Sequence, residues 1–235
     1  MNNPTRTPVS RRSRPAKDPL SQEVIVKTAF DLLEREGSSG LSMRKIAKAL
    51  DTGPSSLYVY VKNLEELSTY VLDYGLGKLV LPPAADGSWQ SNLFDALNAY
   101  LTVLYESPGL AELALTTIPI GPHSLALMEY ILARLDEGGA SSISAAWGVD
   151  LLLLYTASVA FEQTSRDRMG TTLQTITETF RSLDPLRYPM IAALKDVMFS
   201  GDETGDLQRF RWGLEAILRG VLQTGDKAPG RDVNA

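Results

Sequence analysis

His123 is the sole histidine of this 235-residue chain, and cysteine is absent. Thiolate nucleophiles, disulfides and cysteine-based zinc sites are therefore excluded. A hydrolase or transferase needs a positioned base beside its nucleophile, and a single histidine behind Gly121-Pro122 cannot supply that arrangement. The adjacent carboxylates Glu65 and Glu66 follow Asn63 at the spacing of a helix cap, a structural use rather than a catalytic one. The cations are distributed unevenly. Residues 1–66 carry 11 Lys and Arg against 8 Asp and Glu, a net of +3, whereas residues 67–235 carry 12 against 20, a net of −8. In a chain of net charge −5 and pI near 5.0, only the first quarter is dressed for phosphate. The chain is not expected to be an enzyme, and no cofactor is implied.

The elements that would carry those cations are helical. Residues 1–20 mix four prolines with Arg6, Arg11, Arg12, Arg14 and Lys17 and have little to bury, the composition of a disordered basic arm. From Ser21 a helical period sets in, with Val26, Phe30 and Leu33 on one face, until Gly37 offers a stop. Ser42 can cap a short helix through Leu50, and Pro54 can open another reaching Val61. Asn63 and Glu66 form a capping box for a helix to about Leu79, weakened by Gly75 and Gly77 and ended by Pro82-Pro83. Longer helices are predicted over Trp89–Glu106, His123–Glu137, Ser142–Arg166 and Asp206–Gln223, with shorter ones over 109–116, 170–183 and 188–199.

No segment alternates with period two for long enough to make a strand. The fold class is all-α: a three-helix helix-turn-helix head over 21–66, joined to a larger helical body over 67–225, with 226–235 as a disordered tail. The chain start lacks the apolar run of a secretory signal, so a cytoplasmic location is expected. Trp147–Phe161 is apolar but contains Asp150 and is shorter than the roughly 20 residues of a bilayer span. It reads as a buried helix. The whole predicted helix Ser142–Arg166 is apolar nearly all round, which demands burial on more than one side.

Two short helices across a tight turn have the dimensions of a helix-turn-helix whose second helix enters the major groove. The wording of the segment is more specific than its spacing. Gly40-Leu-Ser-Met-Arg-Lys-Ile-Ala-Lys-Ala-Leu50, followed by Ser56-Leu-Tyr-Val-Tyr-Val-Lys-Asn63, closely resembles the DNA-binding head of the TetR family, and the ending is similar to that of its tetracycline-repressor branch. The likeness continues more weakly through Ser88-Trp-Gln90, Phe161-Glu-Gln163 and the Phe210–Leu222 helix, which resembles the family's last dimerisation helix.

The resemblance implies a ligand-responsive repressor that binds a palindromic operator as a homodimer and is released by a small, mostly apolar effector. An activator, or a dimeric regulator with no small-molecule ligand, is the alternative. Homodimerisation would use the helices near 142–166 and 206–223, and two recognition helices about 34 Å apart would reach successive major grooves. The implied DNA-binding residues are Arg44, Lys45, Pro54, Ser55, Ser56, Tyr58, Tyr60 and Lys62. Arg44 can meet a guanine edge or a phosphate, and the serine and tyrosine hydroxyls suit bases or phosphate oxygens. Tyr58 can instead wedge the helices together, and Lys45 can be a solvated face. Asp51 stands where a turn glycine is common, and Asp tolerates the left-handed region. The implied ligand-facing residues are Tyr100, Thr117, Leu127, Tyr130, Ile131, Trp147, Leu151 and Tyr155. The magnesium-bound tetracycline of the family needs histidines that this chain lacks, since the corresponding places fall near Lys78 and Ala114. No metal is implied.

The basic arm generates a test independent of fold. Deleting residues 1–17 is expected to flatten the dependence of log Kd for duplex DNA on log salt, because fewer counterions are released. An unchanged slope in anisotropy titrations removes the arm from the interface.

Overall fold

A computed structural model of the chain describes residues 19–84, 87–107, 109–169, 173–198 and 203–224, and every regular element among them is a helix. Residues 1–18 of the arm expected over 1–20, and the tail expected over 226–235, lie outside the described residues. The head begins with α1 (Gln22–Glu36), whose N-terminus is capped by Ser21 Oγ accepting from the Val24 N–H at 3.2 Å. Ile25, Ala29, Phe30 and Leu33 on its inner face are buried. Gly37 ends it at φ 67°, a left-handed position that favours glycine. A 3₁₀ turn (Gly37–Gly40) then brings the chain so close to α1 that a Cβ at Gly40 would stand 2.5 Å from the Leu32 carbonyl oxygen.

Helix α2 (Met43–Ala49) starts where Ser42 Oγ accepts from the Lys45 N–H, and it buries Ile46 and Ala47. Asp51 takes the left-handed turn at φ 50°. Helix α3 opens with Pro54 in its first turn and is regular only over Pro54–Leu57, shorter than the expected reach to Val61. Its continuation is a turn in which the Tyr60 and Val61 N–H groups both donate to the Leu57 carbonyl. The aromatic and β-branched run Tyr58-Val59-Tyr60-Val61 has poor helix propensity, and Asn63 must be extended to cap the next helix.

In α4 (Leu64–Leu76) Asn63 Oδ1 accepts from the Glu66 N–H at 2.8 Å. The Glu66 carboxylate reaches back to the Lys62 N–H, one residue upstream of the capping-box partner, and that bond holds its pKa below the ordinary value. The 66/67 boundary expected between head and body thus falls inside a continuous helix. Beyond it α5 (Trp89–Glu106), α6 (Leu110–Thr116), α7 (Pro122–Glu137) and α11 (Glu203–Gln223) surround α8 (Ser142–Met169). Val149, Leu152, Ala157 and Ala160 of α8 are buried, while Trp147, Leu151 and Phe161 stay exposed on its other side. By length and composition Ser142–Arg168 is apolar enough to cross a membrane, beyond the shorter span expected, yet half of its most apolar window is buried against its neighbours. Helix α10 (Pro189–Met198) packs on α9 (Leu173–Arg181) and buries none of its own residues.

Helix α7 has no capping side chain of its own, because its N-cap is Gly121. The missing acceptor comes from α4. Asp73, only 8% exposed, places Oδ1 3.0 Å from the Ser124 N–H and 3.2 Å from the Ser124 hydroxyl, and Oδ2 3.0 Å from His123 Nδ1. A carboxylate accepting orphan N–H groups at a helix N-terminus also meets the positive end of the helix dipole. Gly121 makes room for it, since a Cβ there would overlap the Asp73 carboxyl carbon.

Asp73→Ala is therefore expected to cost about 2–3 kcal/mol of unfolding free energy, through loss of charge-assisted buried hydrogen bonds. Gly121→Ala should cost about 1–3 kcal/mol in the wild type by forcing the carboxylate aside. In the Asp73→Ala background the same methyl group finds space and should cost much less. Urea titrations of all four proteins would give a coupling of at least about 1 kcal/mol; strictly additive effects would show that the two positions do not communicate.

Candidate nucleic-acid interface and ligand cavity

The head presents one surface of donors backed by its small core. Leu57 and Val61 are buried beneath it, as are Ile46 and Ala47 of α2. Around them Arg44, Pro54, Ser55, Tyr58, Tyr60 and Lys62 are exposed and Ser56 is half-buried. The Lys62 side chain is 87% accessible. Tyr58 is 54% exposed, so about half of the side chain is open to a partner. Arg44 has no ion-pair partner among the described residues. The surface offers guanidinium, ammonium, hydroxyl and short-helix N–H groups around the exposed Val59, the donor set that phosphate oxygens and base edges accept from.

Lys45 differs from its expected role. Its Nζ lies 2.7 Å from a Glu36 carboxylate oxygen and 2.9 Å from the Ser39 carbonyl, so it braces α2 against the end of α1. That ion pair draws the Glu36 carboxyl below its ordinary range. Lys45 was readable only as a cation on an exposed face; its partner comes from an earlier helix.

The body contains a cavity of about 340 Å³ bounded by α4, α5, α6, α7 and α8. Tyr100, Thr117 and Leu127, three of the expected ligand-facing residues, line it together. Tyr100 is buried by its neighbours, and burial pushes its phenol pKa upward. The other five stand elsewhere. Ile131 is buried in the core, and the Tyr130 hydroxyl is enclosed with no partner among the described residues while its ring lies 5.0 Å from the Arg134 guanidinium. Trp147 and Leu151 sit on the exposed side of α8. Tyr155 stacks on Phe210 of α11 at 5.7 Å and donates its hydroxyl to the Arg209 carbonyl.

From α8 the cavity is lined by Asp150, Leu153 and Leu154; Trp147 and Leu151, on the turns beside Asp150 and Leu154, stand at its outer edge and do not line it. These lining residues were missed, together with Leu76 of α4 and Ser124 and Met128 of α7. Ser124 and Met128 were within reach of pattern, because they flank Leu127 at helical spacing. Asp150 was legible as the one charge inside an apolar run.

Among the described residues no three His, Asp or Glu side chains are grouped to hold a metal ion. Lys78 pairs with Glu34 at 3.0 Å and lies over the Phe30 ring, and Ala114 faces the cavity. A second depression, of about 240 Å³ between α5 and α11, is polar and carries Ser91, Asp95, Asn98 and Arg211.

Comparison with known proteins agrees with this geometry in both halves. Residues 25–69 match the family described as bacterial regulatory proteins, tetR family, and residues 81–224 match the tetracyclin repressor-like C-terminal domain. An HTH-type transcriptional regulator of Saccharopolyspora erythraea is 30% identical over 209 residues, covering 87% of this chain and 86% of its own. The HTH-type transcriptional repressor DrrR1 of Streptomyces coeruleorubidus is 30% identical over 241 residues, covering 93% and 85%. Among solved structures, ActR of Streptomyces coelicolor in complex with actinorhodin superposes with a TM-score of 0.77 at 32% identity, over 90% of this chain and 100% of that one. An exposed helix-turn-helix donor surface, a helical body with a cavity, and matches that span both halves show that this chain is no enzyme but belongs to the TetR family of transcription regulators.

Proposed function

We propose that this protein is a cytoplasmic, ligand-responsive repressor that binds a palindromic operator as a homodimer and leaves it when a small, mostly apolar effector fills the cavity. The observation that carries this reading is the sharing of one helix, α4, by the donor surface and the cavity. Asn63 caps α4 directly after Lys62, while Leu76 at its far end lines the cavity and Asp73 caps α7. A ligand that prefers one placement of α4 therefore prefers one placement of the head, and differential affinity is all that a switch requires.

Dimerisation is supported by apolar surface that a single chain leaves uncovered. Trp147, Leu151 and Phe161 of α8 and Trp212 of α11 are each more than a third exposed, on helices packed side by side. Two such faces pairing across a two-fold axis make a four-helix bundle and set the spacing of the heads. The relatives supply further support, since DrrR1 is named a repressor and ActR holds actinorhodin.

The recognition surface comprises Arg44, Pro54, Ser55, Ser56, Tyr58, Tyr60 and Lys62, with Lys45 bracing it. In anisotropy titrations against a duplex selected from random DNA, Arg44→Ala should weaken binding at least about tenfold. Lys62→Ala should lower the salt slope by about one. Lys45→Ala should act through the head's stability more than through the slope. Leu151→Glu should yield a monomer in sedimentation and abolish cooperative binding to a two-half-site duplex. A wild-type dimer that ignores every duplex at low salt contradicts the operator reading, and a wild-type monomer contradicts the palindromic one.

A further inference from the structure

The polar groups of the cavity are few and chemically distinct. Leu76, Leu127, Met128, Leu153 and Leu154 make its walls apolar. Ser124 Oγ is already committed, donating to Asp73 at 3.2 Å. Three other side chains remain unspent, among them Thr117 at the end of α6, whose hydroxyl has no hydrogen-bond partner among the described residues. At the buried end Tyr100 is 6% exposed, and its hydroxyl has no hydrogen-bond partner among the described residues. Burial favours the neutral phenol, so this hydroxyl is a donor throughout the physiological range. At the exposed rim stands Asp150, the only charged side chain in the lining, with no ion pair among the described residues.

A donor that opens onto an apolar space can give a ligand acceptor the bond it otherwise gives to water. A carboxylate beside a low-dielectric cavity favours cations and repels anions, and no Lys, Arg or His in the lining offsets it. The wall area and the volume of about 340 Å³ suit a body of a few rings, at the small end of ligand sites.

We infer that the effector is an amphipathic amine: an apolar ring body bearing a protonated nitrogen that pairs with Asp150 and an acceptor oxygen that takes the Tyr100 hydroxyl proton in a hydrogen bond. This deepens, and rests on, the reading of the cavity as the effector site. Pairing of two α8 faces would withdraw Asp150 further from water and sharpen the preference.

The test uses three probes that share one fluorescent body: dansylcadaverine, its neutral N-acetyl derivative, and dansyl-6-aminohexanoate, an anion. Each is titrated into the full-length protein at neutral pH. The ammonium should bind about three- to tenfold tighter than the neutral form, and the carboxylate should bind weakest. In Asp150→Asn the ammonium and neutral forms should become equal, with dimer state and Tm retained. Tyr100→Phe should weaken the ammonium and neutral forms by a common factor. Leu127→Trp, which fills the cavity, should remove binding of all three.

A carboxylate probe that binds as well as the ammonium, or an ammonium preference that survives Asp150→Asn, overturns the assignment of charge and leaves the effector cavity standing. Binding that persists in Leu127→Trp, or no binding by any probe, overturns the cavity reading itself.

Discussion

One helix has to satisfy two cores at once, and most of the architecture derives from that constraint. Helix α4 buries Leu67, Val71, Leu72 and Leu76, packing on α1 in the head and on α6 and α7 in the body. The approach is close enough to dictate composition. At Gly75 an added Cβ would lie 2.7 Å from a Leu110 methyl of α6 and 2.9 Å from the Phe30 ring of α1. Glycine ordinarily weakens a helix by about 0.5–1 kcal/mol relative to alanine, so its presence mid-contact is intelligible only as a packing requirement. The same seam is reinforced from the side, where a Cβ at Gly109 would sit 2.5 Å from Leu33. Phe30 and Tyr74 meet edge to face at 5.2 Å, and Lys78 pairs with Glu34 over the Phe30 ring.

Such a junction transmits displacement because packed interiors resist continuous deformation. It is polar as well as apolar at its far end. The Asp73 carboxylate is the cap of another helix, so α7 cannot shift along its axis without either dragging α4 or exposing its first N–H groups. Ser124, the residue that receives this cap, also lines the cavity. A ligand touching Ser124 is therefore one side chain away from α4, and α4 begins directly behind Lys62 of the donor surface.

How far this was legible in the sequence depends on whether the deciding interaction is local. The span Trp89–Glu106 was predicted as it stands, because Ser88 caps it and Ser107-Pro108-Gly109 ends it within the segment. The Ser42 and Asn63 caps, the left-handed Asp51 and the Pro54 helix start were legible for the same reason. Helix α3 was overextended because its end is set by the extended Asn63 that serves the next helix. Long-range decisions were hidden. Gly75 read as a weak point, Gly121 as a loop breaker and Lys45 as a surface cation, and each is explained only by a residue from another element: Leu110 and Phe30, Asp73, and Glu36. The α8 errors have a different cause. A helix that is apolar on nearly every side carries no amphipathic signal, so periodicity cannot fix which stripe faces the cavity and which faces outward.

That loss of signal is itself informative about α8. A helix serving one core has one apolar stripe; α8 has a buried stripe at Val149, Leu152 and Ala160, cavity-lining residues at Leu153 and Leu154, and, on the face that Leu154 shares, the exposed Trp147 and Leu151. The first is used up by packing within the chain. On the reading proposed above, the other two would meet partners of different kinds, a small molecule at the cavity and a second chain at the exposed side. Because the two stripes are on one rigid rod of 28 residues, whatever fills the cavity acts on the same element that would set the angle between two chains. In the proposed dimer the spacing of the two heads would follow rotations at α8 and α4 together, and neither helix can change its seat without loosening a cap, a glycine contact or an apolar face.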